Sequence, residues 1–412
     1  MESIRDLVSP VKFIDVVEDI SIGIELKFLI PFLPYGGAEG KLPRGSLIRE
    51  VDYIKDTKDI EDIDRLKLWK DTFNGVAGAI KGVPGQDAIT SFELSDRRAQ
   101  EREYWAWKWI VKESKSAEAA KDDPDSDRFV WVPVEINSPK MAWRHAATLK
   151  IIEVVLRKLR ATYHMVSNHS CELHVHVGRL DDRPFSLASM KRIAILLWMA
   201  EPTMRKVKDP QSPNFDHTYT WSFALRNHSR LAGVIREARI PQVRTRRGLE
   251  GLDHSLVRYL WRRNVAHPEH QKAIGYIWRA TSYVELGRMM SGEDRPHRRL
   301  GFNFSAMGEE DERARSSPKT LECRFLEGVI EEGLIVSWVK IFGSMVQVGL
   351  DRHDAEGRFA RSVLRLAEED DGLPSDEAFR RLMADLGIDE ETSRPVRALI
   401  RKIHSEGPLG GL

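Results

Sequence analysis

CELHVHVGRL, residues 171–180, is the stretch on which the fold turns. Side chains along a strand point alternately to the two faces of a sheet. Leu173, Val175 and Val177 therefore share one face, and Glu172, His174 and His176 share the other. Such a strand suits an antiparallel sheet covered by helices on one side only.

The same alternation recurs outward in both directions. In SIGIELKF (21–28), Ile22, Ile24, Leu26 and Phe28 oppose Gly23, Glu25 and Lys27. In FVWVPVEINSP (129–139), Val132, Val134 and Ile136 oppose Glu135 and Asn137, and Pro139 ends the strand. RRLGFNFSA (298–306) sets Phe302 and Phe304 against Asn303 and Ser305, and TLECRFLEG (320–328) sets Leu321, Cys323 and Phe325 against Glu322 and Arg324. YWAWKWIVKES (104–114) reads as an aromatic strand. Between the strands, apolar residues at helical spacing predict helices over 142–163 and 331–350, and another capped by Ser186 and stopped at Pro202. Residues 48–82 also read as helical, 203–250 as basic loop, and 254–290 as helix broken near Pro268. The expected class is α+β: a mostly antiparallel sheet with one polar face and helices on the other. A catalytic domain over 1–350 would be followed by a helical extension over 351–412.

A solvated face is ordinarily filled with Lys, Thr, Ser and mixed charges. Here it carries Glu, His, Asn and Arg, the residue types that hold divalent cations and phosphates. Each has a bland reading. A lone Glu25 on a strand is ordinarily a surface group. His174 and His176 at i, i+2 are either metal ligands or half-buried, hydrogen-bonded rings. Glu322 and Arg324 could be an exposed salt bridge, which contributes little. The recurrence of one pattern on every strand favours a site. Trp105, Trp107, Trp109 and Trp143 could line a pocket, although core packing is the plainer role.

The 412 residues suffice for a large core, and a net charge of +1 excludes a uniform field for gripping nucleic acid or anionic membrane. Two cysteines give no disulfide framework. The opening MESIRDLVSP lacks an apolar run, and no segment is expected to reach the length of a membrane span, Ile193–Ala200 being the best candidate. These features suggest a cytoplasmic protein. No glycine-rich phosphate loop is present, since Gly78–Gly85 lacks both the spacing and the Lys-Ser/Thr end. The basic run Arg236–Arg247 reads as a solvated loop rather than an anion site.

In this order IGIELKF, WVPVEINSP, CELHVHVG and TLECRFLEG resemble the amidoligase family, which is related to glutamine synthetase and glutamate–cysteine ligase. The resemblance spans roughly residues 20–330 but is concentrated in the short strands. It implies a glutamine-synthetase-like curved sheet and ATP-dependent formation of an amide from a carboxylate and an amine. On that basis Glu25, Glu135, Glu322 and His174 would ligate Mg²⁺. His174, His176 and Arg324 would be catalytic, and Arg324, Asn303 and His176 would contact ATP. The substrates would be small-molecule or peptide carboxylates and amines. The sequence departs from the family at Lys112, where an Asp is usual, at Glu172, and at Cys323 in place of Phe. Two other readings stand beside it: a Zn²⁺ metallohydrolase built on His174 and His176, and a decayed ligase scaffold that only binds.

Overall fold

A computed structural model describes residues 19–36, 47–57, 60–94, 104–120, 126–213, 215, 224–237, 249–261, 267–293, 299–309, 314–315, 317–351, 357–368 and 374–405. Most of the basic run after Arg236 lies outside them.

Among the described residues nine strands form one sheet: β1 (Ile20–Pro34), β2 (Arg49–Val51), β3 (Ala88–Thr90), β4 (Trp109–Glu113), β5 (Val130–Asn137), β6 (Met141–Ala142), β7 (Glu172–Arg179), β8 (Phe302–Asn303) and β9 (Leu321–Glu327). The order is β3-β4-β5-β1-β7-β9-β8, with β2 and β6 pairing to β1. β1/β2 and β3/β4 run parallel, and the other pairs run antiparallel. The expected mixed α+β class with a mostly antiparallel sheet is what the chain adopts.

The apolar halves of the alternation meet in one layer. Ile22, Ile24, Leu26 and Phe28 of β1, Val132, Val134 and Ile136 of β5, and Leu173, Val175 and Val177 of β7 are all buried in one core cluster. Three helices cover that layer: Asp62–Lys81, Ala147–Thr162 and Glu332–Leu350. In the second, Thr148, Ile152, Val155, Leu156 and Leu159 are buried at the spacing of one helical face.

Several boundaries differ from the sequence reading. The helix expected from 48 starts only at Asp62, because Arg49–Val51 joins the edge of β1 as a short parallel strand. The strand expected over 104–114 shortens to β4, and that over 298–306 to Phe302–Asn303, after which Ser305–Gly308 turns helical. Gly301 allows that short strand its place, since a Cβ there would stand 1.9 Å from the Phe325 ring.

Pro202 does not stop its helix, which runs from Leu187 to Met204. Pro202 has no N–H to give the Trp198 carbonyl, and Arg226 supplies the donor instead: its Nε reaches that oxygen at 2.8 Å. Ser186 caps the other end, its side chain accepting from the Ser189 N–H. Pro268 opens a helix, Pro268–Arg279, as a first-turn proline should.

Glu332–Leu350 is long and apolar enough to cross a membrane by length and composition, contrary to the expectation that no segment would be. It lies mostly buried, as a core helix does. The helices Arg358–Glu368, Ser375–Asp385 and Glu390–Ser405 pack on it and on Leu187–Met204, and Phe359, Phe379 and Val396 join the main core cluster.

One irregularity positions the site. Opposite β7, Glu327 pairs with Glu172 and Leu326 with Leu173, yet Cys323 pairs with Val175. Arg324 and Phe325 thus oppose the single residue His174, which makes a β-bulge.

Candidate active site

The polar halves of the alternation converge on the uncovered face. The register sets Glu25 opposite His174 on one side and Asn137 on the other, His176 opposite Gly23 and Glu322, and Glu322 opposite Asn303. Six residues expected at the site, Glu25, His174, His176, Asn303, Glu322 and Arg324, come together on β1, β7, β8 and β9.

They form two layers. The deeper one centres on His174, which is 2% exposed. Its Nδ1 lies 2.9 Å from Glu25 Oε2 and 3.1 Å from Glu322 Oε1, and its Nε2 lies 3.0 Å from Glu172 Oε2. Both ring nitrogens face carboxylates, so the ring joins Glu172 on one side to Glu25 and Glu322 on the other. Arg324 is buried beside it, donating from Nη1 to Glu322 Oε1, with Nη2 3.8 Å from Glu172. Lys27 Nζ reaches Glu172 Oε2 at 2.7 Å and Ser116 Oγ at 3.0 Å. The added charge of Glu172 is therefore matched by Lys27, His174 and Arg324. Burial opposes ionisation of Glu172, but Lys27, His174 and Arg324 outweigh it and lower its pKa to about 2.

The outer layer faces a cavity of about 290 Å³. Glu25, His176, Glu322, Asn303 and Thr320 form one wall, and Lys112, Asn137, Ser138, Lys140 and Trp105 another. Arg299 also lines it. His174 and Arg324 are not on its walls; both were expected at the reaction centre, and the geometry sets them behind the carboxylates that are. Of the tryptophans, Trp105 lines the cavity, Trp109 is buried in the core, Trp143 packs on the core, and Trp107 is exposed.

Glu25, His176 and Glu322 offer ligand atoms that all lie within 4.8 Å of one another. Among the described residues His176 Nε2 has no hydrogen-bond partner; the carboxylate oxygens of Glu25 and Glu322 stand 3.5 and 3.7 Å away. His176 Nδ1 meets Thr320 Oγ1 at 3.3 Å, which orients the ring. Burial disfavours charge on Glu25 and Glu322. For Glu25 the two histidines outweigh it, and for Glu322 Arg324 and then the histidines do, so both carboxyls are held well below their ordinary range. Burial likewise opposes the His176 cation, but Glu322 and Glu25 raise its pKa overall. Two ionised carboxylates and a buried, unpartnered imidazole nitrogen form a donor set that fits a divalent cation.

Glu135 does not join this set. Its Oε1 lies 3.3 Å from Lys112 Nζ. With the Asn137 amide turned so that its oxygen meets the ammonium, Asn137 accepts from Lys112 at 3.0 Å and donates to Glu135 Oε1 at 3.1 Å. Lys27 was legible as a neighbour of Glu25 in the alternation, but its pairing with Glu172 across β7 needed the register. Thr320 gave no signal of its own.

No curated protein and no solved structure matches the chain. Residues 68–231 match the model of a family described as "Putative amidoligase enzyme". The matched stretch contains β4, β5 and β7 with Glu135, His174 and His176, whereas Glu25, Glu322 and Arg324 lie outside it. The likeness to the amidoligases first read from four strand motifs is thus supported by a match of the segment that carries two of them.

Proposed function

We propose that this chain is an ATP-dependent carboxylate–amine ligase that works through an acyl phosphate. The observation that carries the reading is the cluster Glu25, His176 and Glu322 on a cavity whose other lining includes Lys112, Lys140 and Arg299. A carboxylate oxygen of the acceptor would attack the γ-phosphorus of ATP and expel ADP. The amine nitrogen would then attack the acyl carbon, release phosphate and lose a proton. Both steps crowd anions together, which positive groups fixed in advance make tolerable. A Mg²⁺ ion held by Glu25, His176 and Glu322 would supply charge neutralisation for phosphate oxygens.

The chain's own residues have distinct tasks in this reading. Glu25 and Glu322 stay ionised and ready to ligate. Arg324 and His174 fix both carboxylates from behind, and Asn303 donates to Glu322 Oε2 at 2.6 Å, which fixes its second oxygen. The cations of the cavity wall would hold the phosphate tail or the acceptor carboxylate. The amidoligase match is in keeping with a ligase, and the free cysteines Cys171 and Cys323 would suit the reducing cytoplasm.

Calorimetry with a non-hydrolysable ATP analogue, with and without Mg²⁺, tests the reading. Mg²⁺-dependent binding that Glu322→Gln abolishes is the expected result, to be followed by a screen of acid and amine pairs for ADP release. Tight Zn²⁺ uptake by folded protein that ignores the nucleotide would sink the ligase and favour a metallohydrolase.

A further inference from the structure

Gly23 lies inside β1, the central strand, on the uncovered face between Ser21 and Glu25. Glycine weakens a strand, because it loses more freedom on folding and packs no side chain. Two other glycines near the site have steric causes. A Cβ at Gly178 would stand 2.9 Å from Thr320 Cγ2, and one at Gly301 would strike the Phe325 ring. A Cβ at Gly23 would meet only Ser138 Oγ at 3.7 Å and His176 Cβ at 4.0 Å, which are ordinary contacts, and the Gly23 φ is not left-handed. The fold leaves room for a side chain there that the sequence does not supply.

The gap has charged groups at both ends. On the β7 side His176 stands directly across from Gly23, with Glu25 and Glu322 beside it. On the other side is Lys140, which precedes Met141, the β6 residue that pairs with Ile22. Lys140, Gly23 and His176 all line the same cavity. Neighbouring strands stand about 4.8 Å apart, so roughly 10 Å of backbone separates the two ends. Lys140 Nζ donates to the Leu180 carbonyl at 2.8 Å and to Asp182 Oδ2 at 2.9 Å. An ammonium has three donors, and among the described residues two of these are taken. The Asp182 side chain is 58% exposed, so water screens its charge and Lys140 keeps its attraction for a second anion. Lys112, by contrast, is engaged by Glu135 and Asn137.

We propose that Gly23 is a specificity-determining residue: the side chain it lacks leaves a channel across β1, along which a linear ligand with two anionic ends reaches from the ion at Glu25, His176 and Glu322 to Lys140. The ligand has the chemistry of a phosphate chain or a dicarboxylate. In the ligase reading these are the nucleotide tail and an acceptor that carries a second anionic group. The inference rests on that reading in taking Glu25, His176 and Glu322 as the ion's seat.

Calorimetry with tripolyphosphate and with adipate, in excess Mg²⁺, tests this on wild type, Gly23→Ala and Lys140→Met. At least one probe is expected to bind wild type, and both variants should bind it about tenfold more weakly or worse. Gly23→Ala should still take up Mn²⁺, followed by electron paramagnetic resonance, and should melt no lower than wild type, since the added methyl has room and removes the entropic penalty of glycine. A response of tripolyphosphate alone puts the nucleotide tail across Gly23; a response of adipate, alone or as well, gives the acceptor its second anion. Neither probe binding to wild type, or either variant binding as wild type does, would overturn the channel. Loss of Mn²⁺ uptake in Gly23→Ala would overturn it too, by making the glycine a packing requirement of the ion seat. Failure of the ATP analogue to bind, with the probes behaving as expected, would sink the ligase reading and leave the channel standing. No Mn²⁺ uptake by folded wild type would overturn both.

Discussion

Glu25 and Glu135 sit on adjacent strands of one sheet face, in segments the sequence presents as equivalent, and they end in different chemistry. Around Glu25 the neighbours are His174, His176 and Glu322, with Arg324 and Glu172 one layer down: a dense, buried, overlapping set in which a nitrogen of His176 is left for a ligand. Around Glu135 the described contacts are Lys112 and the Asn137 amide, with Lys27 opposite on β1 but committed to Glu172. What separates them is the neighbouring strand. β1 gains β7, with a Glu or His at each of three successive polar positions, while β5 gains β4, which brings Lys112. In the proposed reading, a carboxylate on a strand becomes a ligand or a partner according to the residue that register sets across from it.

The comparison can be broken at its buried end first. Lys27→Met leaves Glu172 buried without its closest cation, and the loss of one partner from such a pair costs about 3–5 kcal/mol, seen as a lower midpoint in urea. A loss no larger than that of a surface pair would show that the deep layer is less tightly coupled than its distances imply.

Arg324→Gln tests whether the deep layer positions the outer one. Mn²⁺ affinity should fall by about 10–100-fold while the count of ions stays the same. Unchanged affinity would make Arg324 a packing residue.

Acidity sharpens the contrast further. Glu172 has its folded pKa lowered to about 2 from an ordinary 4.5, so its contribution is full above 4.5 and is lost as pH falls towards 2. Stability should decline through that window. In Lys27→Met the decline should be shallower, because the carboxyl there is less strongly held ionised. Parallel curves for the two proteins would refute the role given to Lys27.

The smallest effect is expected at the other carboxylate. Lys112→Met should lower stability by about 1–2 kcal/mol, less than Lys27→Met, because Lys112 keeps more exposure to water than Lys27 does.

Much of this was legible in the sequence, for a definite reason. Alternation in CELHVHVGRL and its counterparts reports which face each side chain takes, so the layer of Ile24, Val134 and Val175 and the face of Glu25 and His174 could both be read directly. Register could not, because it is settled by pairings between strands distant in the chain. That is why Lys112 could be noticed but not joined to Glu135, and why Glu172 looked like an uncompensated charge until Lys27 appeared beside it. Depth was hidden as well: alternation assigns Arg324 and Glu322 to one face and cannot tell which of them reaches the cavity. Pro202 misled because a helix normally needs the hydrogen bond it removes, and Arg226, 24 residues away in sequence, replaces the donor.

Consider finally the extra residue in β9. Glu322 and Glu327 are five positions apart, an odd spacing that strict alternation would send to opposite faces. The bulge at Arg324 and Phe325 inverts the parity of the strand midway. Glu327 can then face the same side as Glu172 and take Lys208 Nζ at 2.7 Å. The strand is two half-ladders of opposite phase joined at one residue. It can absorb a change of side chain at that joint, but not a change of length. Removing a single residue there would drive either the Glu322 row or Glu327 into the hydrocarbon layer, so length rather than identity is the quantity this strand must conserve.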